Sequence, residues 1–338
     1  MIPHNLPTLG KEEENAALRV LNSKQLSQDE EVKGFEDEFC NFLGLPTGHA
    51  VALSNGTSSL YLALKILNPR DKKILFPGYV CSALRHAVSM AGGIEKIIDT
   101  SKNSPNLEMN TLNQNEHDIS IVPHMYGIPI LIEKTNSLLI EDCCQALGAK
   151  INNTMVGLHG DVGIFSFYAT KLMTSGGQGG MFVSKNKDYV DAVRDYREFD
   201  LRNDNKTRFN FKMTDLQAAI GRAQLKKLPS FLKRREEIFQ YYKKSGLNLL
   251  DIDEKHSKIL EPVRYRAIMK TDSPSEIINS LDSIGVKAIV PTEDWELLDD
   301  WKKIPNSLNL SHQTVSLPIY PSLTNQQLDT ILSVVITK

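Results

Sequence analysis

The chain has 338 residues, more than one comfortable hydrophobic core, so its length favours two domains or one large domain with an appendage. With 41% hydrophobic and 24% charged residues, 20 Gly and 15 Pro, the composition is ordinary globular and excludes collagen-like, wholly disordered and disulfide-scaffold classes. The 39 Lys and Arg nearly balance the 41 Asp and Glu, for a formal charge of −2, so no global positive field points to nucleic acid or anionic lipid. Small molecules or protein partners are favoured.

The opening MIPHNLPTLGKEEENAAL lacks the charged-then-apolar pattern of a signal peptide, and no apolar run approaches the ~18 residues of a membrane span. The chain reads as cytoplasmic. Cys40, Cys81, Cys143 and Cys144 are too few for a disulfide framework and are expected to be small buried hydrophobes in a reducing compartment. The sequons at Asn55, Asn152, Asn205 and Asn309 are matches of the kind that arise by chance.

From residue 49 to about 190, short apolar runs alternate with helical stretches. Strand-like His49–Leu53 precedes helical Thr57–Leu67, and Ile74–Phe76 precedes Val80–Ala91. Ile94–Ile98, Ile119–Val122 and Leu138–Ile140 continue the strands. This alternation predicts βα units around a mainly parallel sheet. Gly92–Gly93 suits a helix C-cap, Val162–Phe167 and Met181–Ser184 read as further strands, and the Asn- and Ser-rich Thr100–Asn115 reads as a surface loop. Thr214 and Gln217 form a capping box before AAIGRAQLKKL; Pro229 then separates that helix from SFLKRREEIFQYYKK, which Gly246 stops. Strand-like Val263–Met269 and Val286–Val290 follow, with a helix opened by Ser273–Pro274 and partnered by Glu276, and a last helix capped by Thr324 and Gln327. A large α/β domain over 1–235 and a small C-terminal domain over 236–338 are expected.

Three segments could carry chemistry. Ser54–Ser59 lies where a strand ends and an amphipathic helix begins, so backbone N–H groups and hydroxyls converge on one point, as in an anion site. Plain helix capping explains the same residues. Asp142 stands just after Leu138–Ile140, at the carboxyl end of a buried parallel strand, the edge at which open α/β sheets bind ligands; it could equally cap the next helix. Lys171 follows strand-like Val162–Phe167 and precedes a glycine-rich loop, and alone it could be a solvated surface charge. Neither the P-loop nor the dinucleotide glycine spacing is present. Together the three suit pyridoxal phosphate, which needs a lysine amine for a Schiff base, a carboxylate to keep the pyridine nitrogen protonated, and a helix N-terminus for its phosphate.

The stretches SNGTSSLYLAL, ILFPGYVCSALRHAV, PHMYGIP, LLIEDCCQALGA, VGLHGDVGIFSFYATK, GGQGGMFVS and FNFKMTDLQAAIGRAQL resemble, in order, the motifs of the DegT/DnrJ/EryC1/StrS sugar aminotransferases. IPHNLPTLGKEE at the start and SLPIYPSLT near the end extend the similarity over nearly the whole chain. The resemblance implies the fold of PLP fold type I, like aspartate aminotransferase, and a homodimer with active sites at the interface. It implies that Lys171 forms the Schiff base and moves the substrate proton, that Asp142 pairs with the pyridinium nitrogen, and that Gln145 reaches the phenolic oxygen. Gly56, Thr57, Ser58 and Ser166 would hold the phosphate, completed by Asn210 from the neighbouring subunit.

Cys81 stands where the family often has an aromatic that stacks on the cofactor ring, so that contact would be thinner or supplied by Tyr79 or another side chain. His124, in what resembles the H-x-Y-G pattern, is expected to be structural. Thr292–Asn309 carries little of the sugar-site motif of many relatives. The implied reaction moves an amino group from glutamate or glutamine to a keto group of a nucleotide-linked sugar. Retention of Lys171 argues against the related dehydratases, which have histidine there; a cofactor-binding regulatory homologue is the other alternative.

Overall fold

The computed structural model describes residues 1–336. Two amphipathic helices, α1 (Lys11–Ser23) and α2 (Glu30–Leu43), come first, and Gly44 ends the second in the left-handed conformation (φ 78°) that a residue without Cβ adopts cheaply. The expected alternation then appears: β1 (Ala50–Leu53), α3 (Gly56–Ile66), β2 (Lys73–Pro77), α4 (Ala83–Ala91), β3 (Ile94–Ile98), α5 (Met109–Gln114), β4 (Ile119–Pro123) and β5 (Leu138–Asp142). A short hairpin, β6 (Lys150–Ile151) and β7 (Thr154–Met155), leads to β8 (Val162–Ser166), β9 (Gly180–Val183) and α6 (Lys187–Arg197). Next come α7 (Asp215–Lys244), β10 (Leu260–Glu261), β11 (Ala267–Lys270), α8 (Pro274–Ser283), α9 (Pro305–His312), β12 (Thr314–Leu317) and α10 (Asn325–Val335).

Seven strands form one sheet in the order β1-β9-β8-β5-β4-β2-β3. Pairings β3/β2, β2/β4, β4/β5 and β5/β8 are parallel, whereas β9 runs antiparallel to both neighbours. Helices cover both faces, which is why the central strands read as continuous apolar runs rather than alternating ones. Val51, Phe76, Ile121, Ile140 and Ile164 face one core, while Ala52, Phe165, Met181 and Val183 face the other, with Phe35 and Phe39 of α2. The edge strand β3 carries Glu95 and Lys96, charges that discourage pairing with another chain. The carboxyl ends of β1, β2, β4, β5 and β8 therefore share one edge.

Several expectations are corrected. Pro229 does not separate two helices: α7 runs unbroken from Asp215 to Lys244 with the proline inside. A proline in a helix costs about 3 kcal/mol. Here Leu225 and Leu228 are buried in the core beside the sheet, and Ile238, Phe239 and Tyr242 in a separate core of C-terminal residues. Burial at roughly 1.5–3 kcal/mol per large apolar side chain outweighs the defect. Val286–Val290 is not a strand but two isolated bridges, Val286 to Ile2 and Ile289 to Ser316, because neighbouring residues pair with different segments. Thr100–Asn115 is not simply a surface loop: it contains α5, and Leu107, Met109 and Leu112 are buried against Leu75 and Val122. Strand-like Val263–Met269 shortens to β11, and α8 starts at Pro274 without a side-chain cap from Ser273. Among the described residues no helix is long and apolar enough to cross a membrane.

Candidate active site

The loops at the shared carboxyl edge enclose a cavity of about 590 Å³. All the strands that end there except the edge strand β3 contribute: Asn55–Ser58 after β1, Cys81 after β2, Met125 after β4, Asp142 and Gln145 at and beyond β5, Ser166 and Lys171 at and beyond β8. Eight of the nine residues singled out from the sequence thus line one space, although they are spread from position 56 to 171. Asn210 is exposed and does not line the cavity of its own chain; its Oδ1 accepts the amide of Lys212 at 3.2 Å. Its neighbour Phe211 does line it.

One wall is the N-terminus of α3. Asn55, extended at φ −166°, accepts the Ser58 amide on its side chain at 2.8 Å, and Ser58 Oγ accepts the Asn55 amide at 3.2 Å. This capping box leaves the amides of Gly56 and Thr57 without an intrahelical acceptor, at the positive end of the helix dipole. A Cβ on Gly56 would come within 2.9 Å of Ser166 Cβ and 3.2 Å of Cys144 Sγ. Glycine lets the helix end and the Ser166 hydroxyl close on the same point.

On β5, alternate side chains turn to different tasks. Glu141 is fully buried; its carboxylate accepts the amides of Gly157 (2.9 Å), His159 (2.6 Å) and Gly160 (2.7 Å) and pairs with His124 Nε2 at 3.0 Å. Burial pushes its pKa up, but His124 and those amides outweigh it and hold the carboxyl below its ordinary range. His124 Nδ1 accepts the Ile130 amide at 3.0 Å, so its two nitrogens are spent on the protein. His124, Glu141 and Cys143 come close enough to suggest a metal, but a carboxylate already holding four donors has no lone pair to offer. Asp142 faces the cavity, half-buried, with Oδ1 accepting the Cys144 amide at 3.0 Å. Gln145 Oε1 accepts the amide of Tyr126, whose φ is 59°.

Lys171 sits on a turn held by bonds from its amide to Tyr168 O (2.9 Å) and from Ala169 to Gly177 O (3.1 Å), with Gly176 and Gly177 at φ 78° and 125°. Asn5 donates to Thr170 O at 2.7 Å, so the N-terminal segment braces the same turn. Lys171 has no ion-pair partner among the described residues. Burial alone would depress its pKa, but Tyr265, Cys144, Asp142 and Cys81 together carry it above the ordinary lysine range. Burial, and then Asp142, keeps the Cys144 thiol protonated well above its ordinary range.

Two further expectations change. Tyr79 does not reach the cavity: it is fully buried, and its hydroxyl accepts from Tyr126 at 3.0 Å. Cys81 is exposed rather than a buried hydrophobe, unlike Cys40 and Cys143. Residues not singled out beforehand also line the space, among them Cys144, Tyr168, Gln178 and Phe211. Cys144 and Tyr168 lie inside the motif stretches beside residues already chosen; their orientation had no local signal.

The sequence matches the DegT/DnrJ/EryC1/StrS aminotransferase family over residues 7–336. The chain belongs to that family. Spore coat polysaccharide biosynthesis protein SpsC of Bacillus subtilis (strain 168) is 28% identical, with 99% of this chain and 96% of SpsC covered. GDP-perosamine synthase of Escherichia coli O157:H7 is 26% identical, covering 96% and 95%. The crystal structure of the aminotransferase TlmJ from Streptoalloteichus hindustanus superposes with a TM-score of 0.89 at 21% identity, covering 99% and 98% of the two chains, and shows the shared fold.

This member of the family is thus a PLP-dependent aminotransferase with the α/β fold the motifs implied. The donor set of the cavity fits pyridoxal phosphate. Two helix-end amides and Ser166 suit a phosphate, and Gly56 is the one side chain size that lets them converge. Lys171 is an amine with no ion-pair partner among the described residues, and Asp142 supplies a carboxylate at the strand end.

Proposed function

We propose that this aminotransferase moves an amino group from glutamate or glutamine to a keto group of a nucleotide-linked sugar, in the cytoplasm, as a homodimer with shared active sites. The observation that carries the reading is the convergence of Lys171, Asp142 and the α3 N-terminus on one cavity. Relatives named for GDP-perosamine synthesis support the nucleotide sugar. A division between large and small domains at 235/236 is supported by the separate core that begins at Ile238. The absence of Asn210 from the cavity of its own chain leaves it free to serve a neighbouring one.

When bound, pyridoxal phosphate supplies an aldehyde for the amine and a ring that accepts electrons. In this reading Gly56 and Thr57 hold the phosphate through backbone amides, with Ser58 and Ser166 adding hydroxyls. Asp142 Oδ1 is already oriented by the Cys144 amide, so its carboxylate keeps a positive charge on the ring nitrogen at little reorganisation cost. Lys171 Nζ would move a proton between the substrate carbon and the cofactor carbon, in a cavity that Tyr168 and Phe211 also line. Gln145, with Oε1 committed to Tyr126 and one N–H of Nε2 directed at Met125 Sδ at 4.0 Å, has a second N–H to donate to the phenolic oxygen.

The test offers keto sugars linked to UDP, dTDP and GDP with glutamate as donor, and reads amino-sugar formation by mass spectrometry. One keto sugar should be converted with stoichiometric 2-oxoglutarate. Failure of every sugar together with turnover of a simple 2-oxo acid would sink the sugar assignment. Borohydride treatment of the cofactor-loaded protein should attach the cofactor at Lys171, and Lys171→Ala should abolish both attachment and turnover.

A further inference from the structure

Tyr265 reaches the site from outside the sheet. It precedes β11, is buried, and has the Lys171 Nζ 5.3 Å from its ring centroid. That is within the ~6 Å at which the negative face of an aromatic ring attracts an ammonium. The ring is anchored by its own backbone: its amide donates to Tyr126 O at 3.2 Å, and its carbonyl accepts from Arg235 Nη1 at 3.1 Å. Arg235 lies on α7, is 1% exposed, and also donates to the carbonyls of Arg264 (3.2 Å) and Ile319 (2.9 Å). Tyr126 is in turn tied to Gln145. A continuous line of contacts thus runs from Gln145 through Tyr126 and Tyr265 to Lys171, crossing from the sheet to the C-terminal part of the chain.

We propose that Tyr265 is a positioning residue whose ring face seats the Lys171 amine, so that the C-terminal part of the chain sets where that nitrogen stands. The proposal rests on the reading of Lys171 as the reactive amine. The electrostatics agree. The groups facing Lys171 are Tyr265, Asp142 and Cys144 at the end of β5, and Cys81 ahead of α4; against burial, Tyr265 is the largest upward influence on the lysine. Tyr265 itself is faced by Lys171, Arg266, Arg235 and Thr170, and although burial pushes its phenol up, the three cations hold it below the ordinary tyrosine range. Arg266 adds a guanidinium 5.5 Å from the same ring.

A tyrosine that merely fills the core would show none of this coupling. The test compares Tyr265→Phe, which keeps the ring, with Tyr265→Leu and Tyr265→Met, which remove it; Met is the variant relied on if Leu does not fold. In the loaded enzyme, Leu and Met should lower kcat about tenfold with KM for the amino donor within about twofold, while Phe stays within about twofold of wild type. In the cofactor-free full chain, the pH midpoint for acetylation of Lys171, read by peptide mapping, should fall for Leu and Met and fall less for Phe, which keeps the ring face and loses only the phenol oxygen. An unchanged midpoint and kcat in the ring-less variants, or a Phe variant as impaired as Leu, overturns the proposal. Borohydride attachment elsewhere than Lys171 in the wild type would instead overturn the reading of the lysine.

Discussion

The Tyr126 amide donates to Gln145 Oε1 at 2.8 Å, and this bond holds a non-glycine residue at φ 59° directly behind the cavity. The left-handed conformation is costly for a residue with a Cβ and persists where surrounding contacts over-determine it. Gln145 therefore shapes the turn after β4 as well as facing the cavity.

Gln145→Ala should leave that buried amide unpaired and cost about 1–3 kcal/mol of stability in the cofactor-free chain. Gln145→Glu keeps the acceptor and should recover most of it. Urea denaturation of the three proteins decides: equal loss in Ala and Glu would show that the acceptor does not support the turn.

The constraint at Gly56 is steric. Alanine is ordinarily the better helix residue by ~0.5–1 kcal/mol, yet its Cβ would stand 2.9 Å from Ser166 Cβ. Gly56→Ala should weaken pyridoxal phosphate binding by roughly tenfold or more through displacement of the amides, measured by fluorescence titration. Unchanged affinity would mean the helix end is not the phosphate seat.

Glu141 gives a pH prediction. Its folded pKa is held below the ordinary value of 4.5, so its contribution is fully present above that value and is lost as pH falls through the lowered one. Glu141→Gln should cost about 3 kcal/mol at neutral pH, since three amides and His124 lose a charged acceptor. The gap between variant and wild type should narrow on acidification, as denaturation midpoints at pH 7 and pH 4 would record; a constant gap would contradict the ionised buried carboxylate.

Asp142→Asn preserves shape and removes charge. If the carboxylate keeps the ring nitrogen cationic, the half-reaction with glutamate should slow on the order of 10²–10³-fold in single turnover. Binding of the cofactor should change far less, because the phosphate seat is separate. A half-reaction within threefold of wild type would remove Asp142 from that role.

The chain order of strands and helices, the motif residues at the strand ends and the capping boxes of α7 and α10 were legible in the sequence. These depend on local chemistry: parallel strands buried on both faces must be apolar throughout, and helix ends need side-chain acceptors. The convergence of residues 56 to 171 on one edge could be anticipated because every parallel strand points its carboxyl end the same way.

Contacts between distant segments were decided only in three dimensions. The local penalty of Pro229 is readable from the sequence, but whether two cores outside the helix outweigh it is not. Tyr79 follows the end of β2, yet packing turned it toward Tyr126 and away from the cavity. Tyr265 carries no motif that marks it as a neighbour of Lys171; only the folding of the C-terminal part against the sheet brings its ring to the amine. Periodicity and capping report interactions within a few residues, whereas the seat of a reactive side chain is set by tertiary packing, whose energies a linear pattern does not encode.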